Sequence, residues 1–252
     1  MSNSYENNKT ARKYLEFSNS ANGKIQQALL WEAISRQLES SAQNVLDVAC
    51  GGGWLSAKLA EKYPDATVFG SDFSSDLIAY AKTTYPNYPN ISFAVADVTK
   101  SLPYQNEQFD LVTFNMAAHD VSNLQTAFAE IARVTKPGGS VIVTIANPYY
   151  AFPVGVWKRG LIGFLLRQKP RLKLLAYNFF KRKTSRAFTW NDRFSSYFYT
   201  LGEYIAHAKN AKLQLEVLQD LDSELDSENF DMRYQLHRFP TMVLLRFKKS
   251  LE

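Results

Sequence analysis

Short apolar runs rich in β-branched residues recur between residues 43 and 147, and each ends at glycine or a polar cluster. These runs predict five strands: NVLDVA, ATVFGSD, ISFAVAD, QFDLVTFNM and SVIVTIA. Apolar residues at helical spacing after the first, second and fourth runs predict crossover helices. Repeated strand–helix units of this length predict an α/β fold with a parallel sheet covered by helices on both faces.

The two ends of the chain predict additions to this alternating core. An amphipathic helix is predicted from about Gly23 to Glu39, and another around Gly202–Ala211. The last two apolar runs, KLQLEVLQDL and TMVLLRFKK, are separated by a segment without helical pattern. Such a short connection favours an antiparallel pair at the edge of the sheet. We therefore expect residues 1–252 to form one domain.

The most informative motif is the glycine-rich turn after the first strand, DVACGGGW from Asp47 to Trp54. A glycine turn between a strand and a helix lets backbone N–H groups approach a ligand closely. The dinucleotide fingerprint would place glycine where Ala49 and Trp54 stand, and no Gly-Lys-Ser/Thr follows, so dinucleotide and triphosphate loops are excluded. The segment instead resembles the first motif of class I S-adenosylmethionine-dependent methyltransferases, with Ala49 in place of the more usual glycine.

The resemblance continues at the following strand ends and covers about residues 43–147. It implies a Rossmann-like fold, with a mostly parallel seven-stranded sheet and an antiparallel C-terminal edge pair, that uses S-adenosylmethionine. Asp72 would bind the ribose hydroxyls, because a carboxylate can accept two hydrogen bonds from a vicinal diol. Asp97 would accept from the adenine amino group. The implied cofactor-binding residues are Asp47, Ala49, Gly51, Gly53, Asp72, Phe73, Asp97, Val98 and Asn115.

The acceptor side of the methyl transfer is predicted to involve His119 and Asp120, just after the fourth strand. His119 is expected to deprotonate the nucleophile, oriented by Asp120, if the acceptor arrives protonated. The alternative is that His119 only packs or caps the next helix. Tyr5, Tyr14 and Phe17 resemble the family's lid, so residues 1–40 are predicted to form an N-terminal helical lid; they could equally anchor the first helix to the core.

Charge changes the picture for one segment. The chain has a formal charge of +5, but residues 151–193 hold 11 Lys or Arg and one Asp among many aromatic residues, which leaves −5 elsewhere. In the class I fold this loop commonly covers the acceptor, so residues 148–200 are predicted to form an inserted helical substrate cap. Its composition suits a small acidic or lipophilic acceptor, RNA, or a membrane surface, and a solvated insertion is also consistent with it. We favour the small acceptor, because no appended RNA-binding module is visible.

Composition adds few constraints. The single cysteine, Cys50, supports neither an internal disulfide nor a cysteine-built metal site, and no metal is expected. No run of 18 apolar residues and no secretory signal are present, so a cytoplasmic protein is expected. The sequence thus predicts a methyltransferase that moves a methyl group to an oxygen, nitrogen or carbon of a small acceptor. An RNA methyltransferase and a non-catalytic S-adenosylmethionine-binding protein are the alternatives, and the oligomeric state stays open.

Overall fold

The computed structural model describes residues 8–148, 186–190, 194–197, 199–221 and 242–251. The first part of the chain comprises α1 (Asn8–Asn19), α2 (Ala21–Ser35), β1 (Asn44–Val48), α3 (Trp54–Lys62), β2 (Thr67–Asp72), α4 (Ser75–Thr84), β3 (Ile91–Val95), β4 (Phe109–Asn115), α5 (Leu124–Val134) and β5 (Thr135–Ala146). The later part comprises β6 (Arg186–Trp190), β7 (Phe194–Tyr197), α6 (Leu201–Asn210), β8 (Leu213–Leu221) and β9 (Met242–Lys249). Within these ranges every helix is too short or too polar to cross a membrane.

Seven of the described strands form one sheet in the order β3-β2-β1-β4-β5-β9-β8. The pairings among β1 to β5 are parallel, whereas β9 runs antiparallel to both β5 and β8. The expected class I architecture, including the antiparallel C-terminal pair, is therefore confirmed. Strand order reverses between β1 and β4, and ligands of open α/β sheets bind at such a switch point, outside the carboxyl ends of the strands.

The central strands are buried on both faces because helices cover the sheet from both sides. Along β5, Val141 and Val143 pack into one apolar cluster with α5, while Ile142 points into a second cluster with α2 and α3. Successive side chains of a strand point to opposite faces, so this near-continuous apolar run serves both layers. The two layers hold the strand ends, and therefore the residues that follow them, in fixed positions.

Several helix and strand boundaries differ from the predicted ones, and α2, predicted from about Gly23 to Glu39, spans Ala21–Ser35. Helix α2 begins at Ala21 because the Ser20 hydroxyl accepts a hydrogen bond from Gly23 N and caps it. Strand β5 begins at Thr135, so the predicted turn Lys136-Pro137-Gly138-Gly139 lies within the strand, where its register with β4 shifts. Gly138 adopts φ = 71° at this irregularity.

A helical insertion is predicted after the fifth strand; in its described residues Pro148 is helical, but 186–190 and 194–197 form a β-hairpin. Strands β6 and β7 pair antiparallel and are separated by three residues in sequence. Aromatic residues and threonine, as in Phe188, Thr189 and Trp190, favour a strand over a helix. Residues 149–185, on which the rest of the helical prediction falls, lie outside the described residues, and the boundaries of the cap stay a prediction.

Candidate functional site

One pocket lies along the carboxyl ends of the parallel strands. Most of the predicted cofactor-binding residues line it, together with Asp120: Ala49, Gly51, Asp72, Phe73, Asp97, Val98 and Asn115. They come from the ends of β1, β2, β3 and β4, so a topology predicted from short apolar runs brings them together. Asp47, Gly53 and His119 do not line the pocket.

The glycine turn owes its shape to three alternate residues in left-handed conformation. The φ angles of Ala49, Gly51 and Gly53 are 54°, 55° and 85°. A Cβ on Gly53 would lie 2.9 Å from Phe93 Cζ, so this glycine lets α3 begin against β3 instead of lining the pocket. Ala49 adopts the same conformation with a side chain, which costs on the order of 1–2 kcal/mol.

The Asp72 carboxylate is held in place by two backbone N–H groups. Its Oδ2 accepts from Gly51 N and its Oδ1 from Ser74 N, both at 2.9 Å. Each carboxylate oxygen keeps a further lone pair for a ligand hydroxyl. Burial raises the pKa of Asp72 to about 6, although the bonds from Ser74 and Gly51 oppose this shift.

Asp97 lies at the end of β3, in a more polar setting. Its Oδ1 accepts from Thr99 N at 2.9 Å and Thr99 Oγ1 at 2.7 Å, and its Oδ2 lies 3.5 Å from Lys100 Nζ. Burial raises the pKa of Asp97, but the bonds from Thr99 and the charge of Lys100 outweigh it, so the pKa lies below its ordinary value. Asp97 is therefore a charged hydrogen-bond acceptor at neutral pH.

Asp47 is placed behind the glycine turn and not in the pocket. Its side chain is buried and accepts hydrogen bonds from Ser56 Oγ at 2.7 Å and Thr113 Oγ1 at 2.8 Å. Burial raises the pKa of Asp47 to about 6, against the effect of these two bonds. The carboxylate thus ties β1 to α3 and β4, and it supports the turn from below.

His119 and Asp120 form a single turn of 3-10 helix, Ala118–Asp120, after β4. Asp120 lines the pocket, whereas His119 does not, and His119 Nε2 lies 3.9 Å from Asp120 Oδ2. The hairpin strand β7 packs against this turn, and Tyr199 Oη donates to Val121 O at 3.0 Å. The described part of the insertion therefore adjoins the Asp120 end of the pocket.

Helices α1 and α2 close the pocket from the N-terminal side. Tyr14 and Phe17 line it, and so do Gln26 and Leu30 of α2, for which the sequence gives no signal; the N-terminal lid stays a prediction. A Cβ on Gly51 would lie only 2.6 Å from Tyr14 Oη. Burial, followed by the charge of Asp72, raises the pKa of the Tyr14 hydroxyl, which therefore stays neutral. Tyr5 lies outside the described residues.

The charged side chains that line this pocket in the described ranges are all acids, namely Asp72, Asp97 and Asp120. An acidic cleft at the switch point of a Rossmann-like sheet suits a nucleoside that carries positive charge. The glycine turn, the Asp72 carboxylate with its remaining lone pairs and the acceptor at the end of β3 fit S-adenosylmethionine. Fold and site together resemble those of class I S-adenosylmethionine-dependent methyltransferases.

Comparison with known proteins agrees with this class. Residues 46–143 match the family model described as "Methyltransferase domain". A crystal structure of an S-adenosylmethionine-dependent methyltransferase from Mesorhizobium loti superposes with a TM-score of 0.64 at 18% identity. It covers 89% of this chain and 100% of that one.

Two curated relatives are similar over part of the chain. Malonyl-[acyl-carrier protein] O-methyltransferase of Hahella chejuensis is 39% identical over 109 residues, which is 43% of this chain and 38% of the relative. Demethylmenaquinone methyltransferase of Leptospira interrogans is 34% identical over 138 residues, or 52% of this chain and 55% of the relative. The chain thus spans about half or less of the length of these relatives.

Proposed function

We propose that this protein is an S-adenosylmethionine-dependent methyltransferase that acts on an oxygen, nitrogen or carbon of a small, acidic or lipophilic acceptor. The observation that carries the proposal is the single pocket that joins Asp97, Asp72 and Gly51 to Asn115 and Asp120. The names of the two curated relatives support a small or carrier-bound acceptor.

The cofactor supplies an electrophilic methyl group on a sulfonium when it is bound. In-line methyl transfer depends mainly on positioning, and the chain provides this from several directions. Asp97 and Asp72 hold the nucleoside end, while Tyr14 and Phe17 close the pocket and limit the entry of water. Asp120 is the group best placed to accept a proton or orient the acceptor, with His119 beside it.

The acceptor's charge bears on the role of the insertion. Because the described pocket is acidic, an anionic acceptor would need cations from elsewhere, and residues 151–193 are strongly basic. The contact of β7 with the turn at Ala118–Asp120 supports a cap over the acceptor. A contact of the same segment with a membrane is tested by flotation with anionic vesicles.

Cofactor binding is tested by calorimetric titration with S-adenosylhomocysteine. Asp72→Ala should weaken binding about tenfold or more, since it removes charge-assisted bonds to the ribose. Asp76→Ala is the matched control, because Asp76 is an exposed acid in the first turn of α4 that does not line the pocket. Failure of the unmodified protein to bind S-adenosyl compounds would refute the proposal.

Catalysis is tested by transfer of labelled methyl groups into the small-metabolite, lipid, protein and RNA fractions of a cell extract. We expect label in the small-metabolite or lipid fraction. Asp120→Asn should lower this methyl transfer without weakening the binding of S-adenosylhomocysteine. Near-full turnover of His119→Ala would remove His119 from the chemistry, and label only in RNA would favour the alternative acceptor.

A further inference from the structure

The end of β4 carries an amide whose orientation is set by a neighbouring strand. Asn115 and Thr144 are register partners on β4 and β5. The Thr144 hydroxyl donates to Asn115 Oδ1 at 2.6 Å and accepts from Met116 N at 3.0 Å. Thr144 is fully buried, and Asn115 lines the pocket.

This arrangement allows one orientation of the Asn115 amide. The Thr144 oxygen already accepts the Met116 N–H, so its own hydrogen needs an acceptor, and Asn115 Oδ1 is that acceptor. The flipped amide would present N–H groups to the same oxygen and leave the buried hydroxyl hydrogen unsatisfied, which is costly. Asn115 Nδ2, with its two N–H donors, is therefore turned away from Thr144.

Those donors make no hydrogen bond within the part of the chain that the structure describes. The adjacent Met116 adopts φ = 51°, and its N–H also donates to Thr144 O at 2.8 Å. Non-glycine residues in this conformation are strained, and such strain is concentrated at ligand sites. Thr144 thus holds both the amide and the strained residue that follows it.

The order of strands shows which part of a ligand the amide faces. Along the sheet edge, Asp97 of β3 and Asp72 of β2 lie on one side of the glycine turn, and Asn115 lies on the other, across the switch point. If the nucleoside lies at the two acids, the amino-acid end of the cofactor extends towards Asn115. Since Lys, Arg and His are absent from the described pocket lining, a carboxylate there requires neutral N–H donors.

We propose that Thr144 is a positioning residue that orients the Asn115 amide to donate to the carboxylate at the amino-acid end of the cofactor. The inference rests on the proposed function. It assigns a role to a residue that does not itself line the pocket and that follows no recognisable motif.

The test compares two ligands by calorimetry. S-adenosylhomocysteine carries the amino-acid end, and 5′-methylthioadenosine lacks it. Thr144→Val preserves the shape of the side chain and removes the hydroxyl. It should lower the affinity for S-adenosylhomocysteine about tenfold, which is the size expected for one lost hydrogen bond to a charged group. The affinity of Thr144→Val for 5′-methylthioadenosine should stay within about twofold of that of the unmodified protein, because this ligand lacks the amino-acid end. Thr144→Ser keeps the hydroxyl and should therefore restore S-adenosylhomocysteine binding.

A double-mutant cycle separates positioning from a general structural effect. Asn115→Ala should weaken S-adenosylhomocysteine by a similar factor, and adding Thr144→Val to it should cause little further loss. In the unmodified protein the Asn115 side-chain amide should give a separate pair of NMR signals that shifts on S-adenosylhomocysteine binding and not on 5′-methylthioadenosine binding.

Three results would overturn the inference: unchanged S-adenosylhomocysteine affinity in Thr144→Val, equal weakening of both ligands, or no rescue by serine. Each leaves the proposed function standing, provided that the unmodified protein binds S-adenosylhomocysteine. If the unmodified protein binds neither ligand, the proposed function itself is wrong, and this inference is wrong with it.

Discussion

Replacement of Gly51 by alanine should disrupt the contact between α1 and the glycine turn. Gly51 has φ = 55°, a left-handed conformation that costs a non-glycine residue about 1–2 kcal/mol. The added Cβ would also lie 2.6 Å from Tyr14 Oη and 2.9 Å from Tyr14 Cζ, closer than atoms can approach. Overpacking of this kind costs a further 1–3 kcal/mol or so.

Gly138→Ala provides the matched control. Gly138 has φ = 71°, and among the described atoms a Cβ there would approach only Leu251 Cδ2, at 3.2 Å. The unfolded chain has less conformational entropy with alanine than with glycine. This difference stabilises the folded protein by about 0.4–1 kcal/mol and offsets part of the strain. We expect the free energy of unfolding to fall by about 1 kcal/mol for Gly138→Ala and about 3 kcal/mol for Gly51→Ala.

Urea denaturation of the two variants, each with and without Tyr14→Ala, measures the difference. Without the tyrosine ring, the additional loss in Gly51→Ala should disappear, leaving a loss close to that of Gly138→Ala. A coupling energy of about 1–3 kcal/mol between positions 51 and 14 is therefore expected. Equal losses for both glycine variants, or a Gly51→Ala loss that Tyr14→Ala does not reduce, would refute the reasoning.

Three other substitutions test neighbouring features by urea denaturation. Ala49→Gly should raise the free energy of unfolding by about 0.5 kcal/mol, because the left-handed strain that is relieved exceeds the added entropic cost of ordering glycine on folding. A decrease would contradict this. Burial raises the pKa of Asp47 from its ordinary value of 3.8 to about 6 in the folded protein. Between these pH values the folded state therefore binds more protons than the unfolded state, and the free energy of unfolding falls as pH rises. Asp47→Asn should remove about 2 kcal/mol of the fall from pH 4.5 to 7, and an unchanged fall would argue against it. Thr200→Ala removes the capping box of α6 and should lower the free energy of unfolding by about 1 kcal/mol. An unchanged free energy of unfolding would show that Thr200 does not stabilise the helix.

The sequence was a good guide to the fold wherever a strand was buried on both faces. Runs such as SVIVTIA have one reading, because they are too short for a helix and end at polar residues. The sequence predicts the turn Lys136-Pro137-Gly138-Gly139 outside the strand, since proline and glycine usually end a strand. The structure accommodates it by a register shift opposite β4, a tertiary effect that local composition does not encode.

The sequence predicted which residues lie together best where they follow strand ends, and their binding roles stay predictions. Asp72, Asp97 and Asn115 converge because parallel strands share one carboxyl edge. Asp47 was assigned to the cofactor because it stands at a strand end, but its oxygens are already bonded to Ser56 and Thr113, which are distant in sequence. No local pattern reveals such partners. Gln26 and Leu30 were missed for a related reason, since nothing in an amphipathic helix shows which residues border a pocket.

Helix α1 packs directly against the glycine turn. Tyr14 lies over Gly51, Leu15 Cδ2 lies 3.0 Å from where a Gly52 Cβ would stand, and Asn19 donates to Tyr80 on α4. The segment shared with the methyltransferase-domain family, residues 46–143, contains the turn but not this helix. If the cofactor binds in this pocket, we therefore expect its rate of release to depend on a helix that lies outside the matched segment.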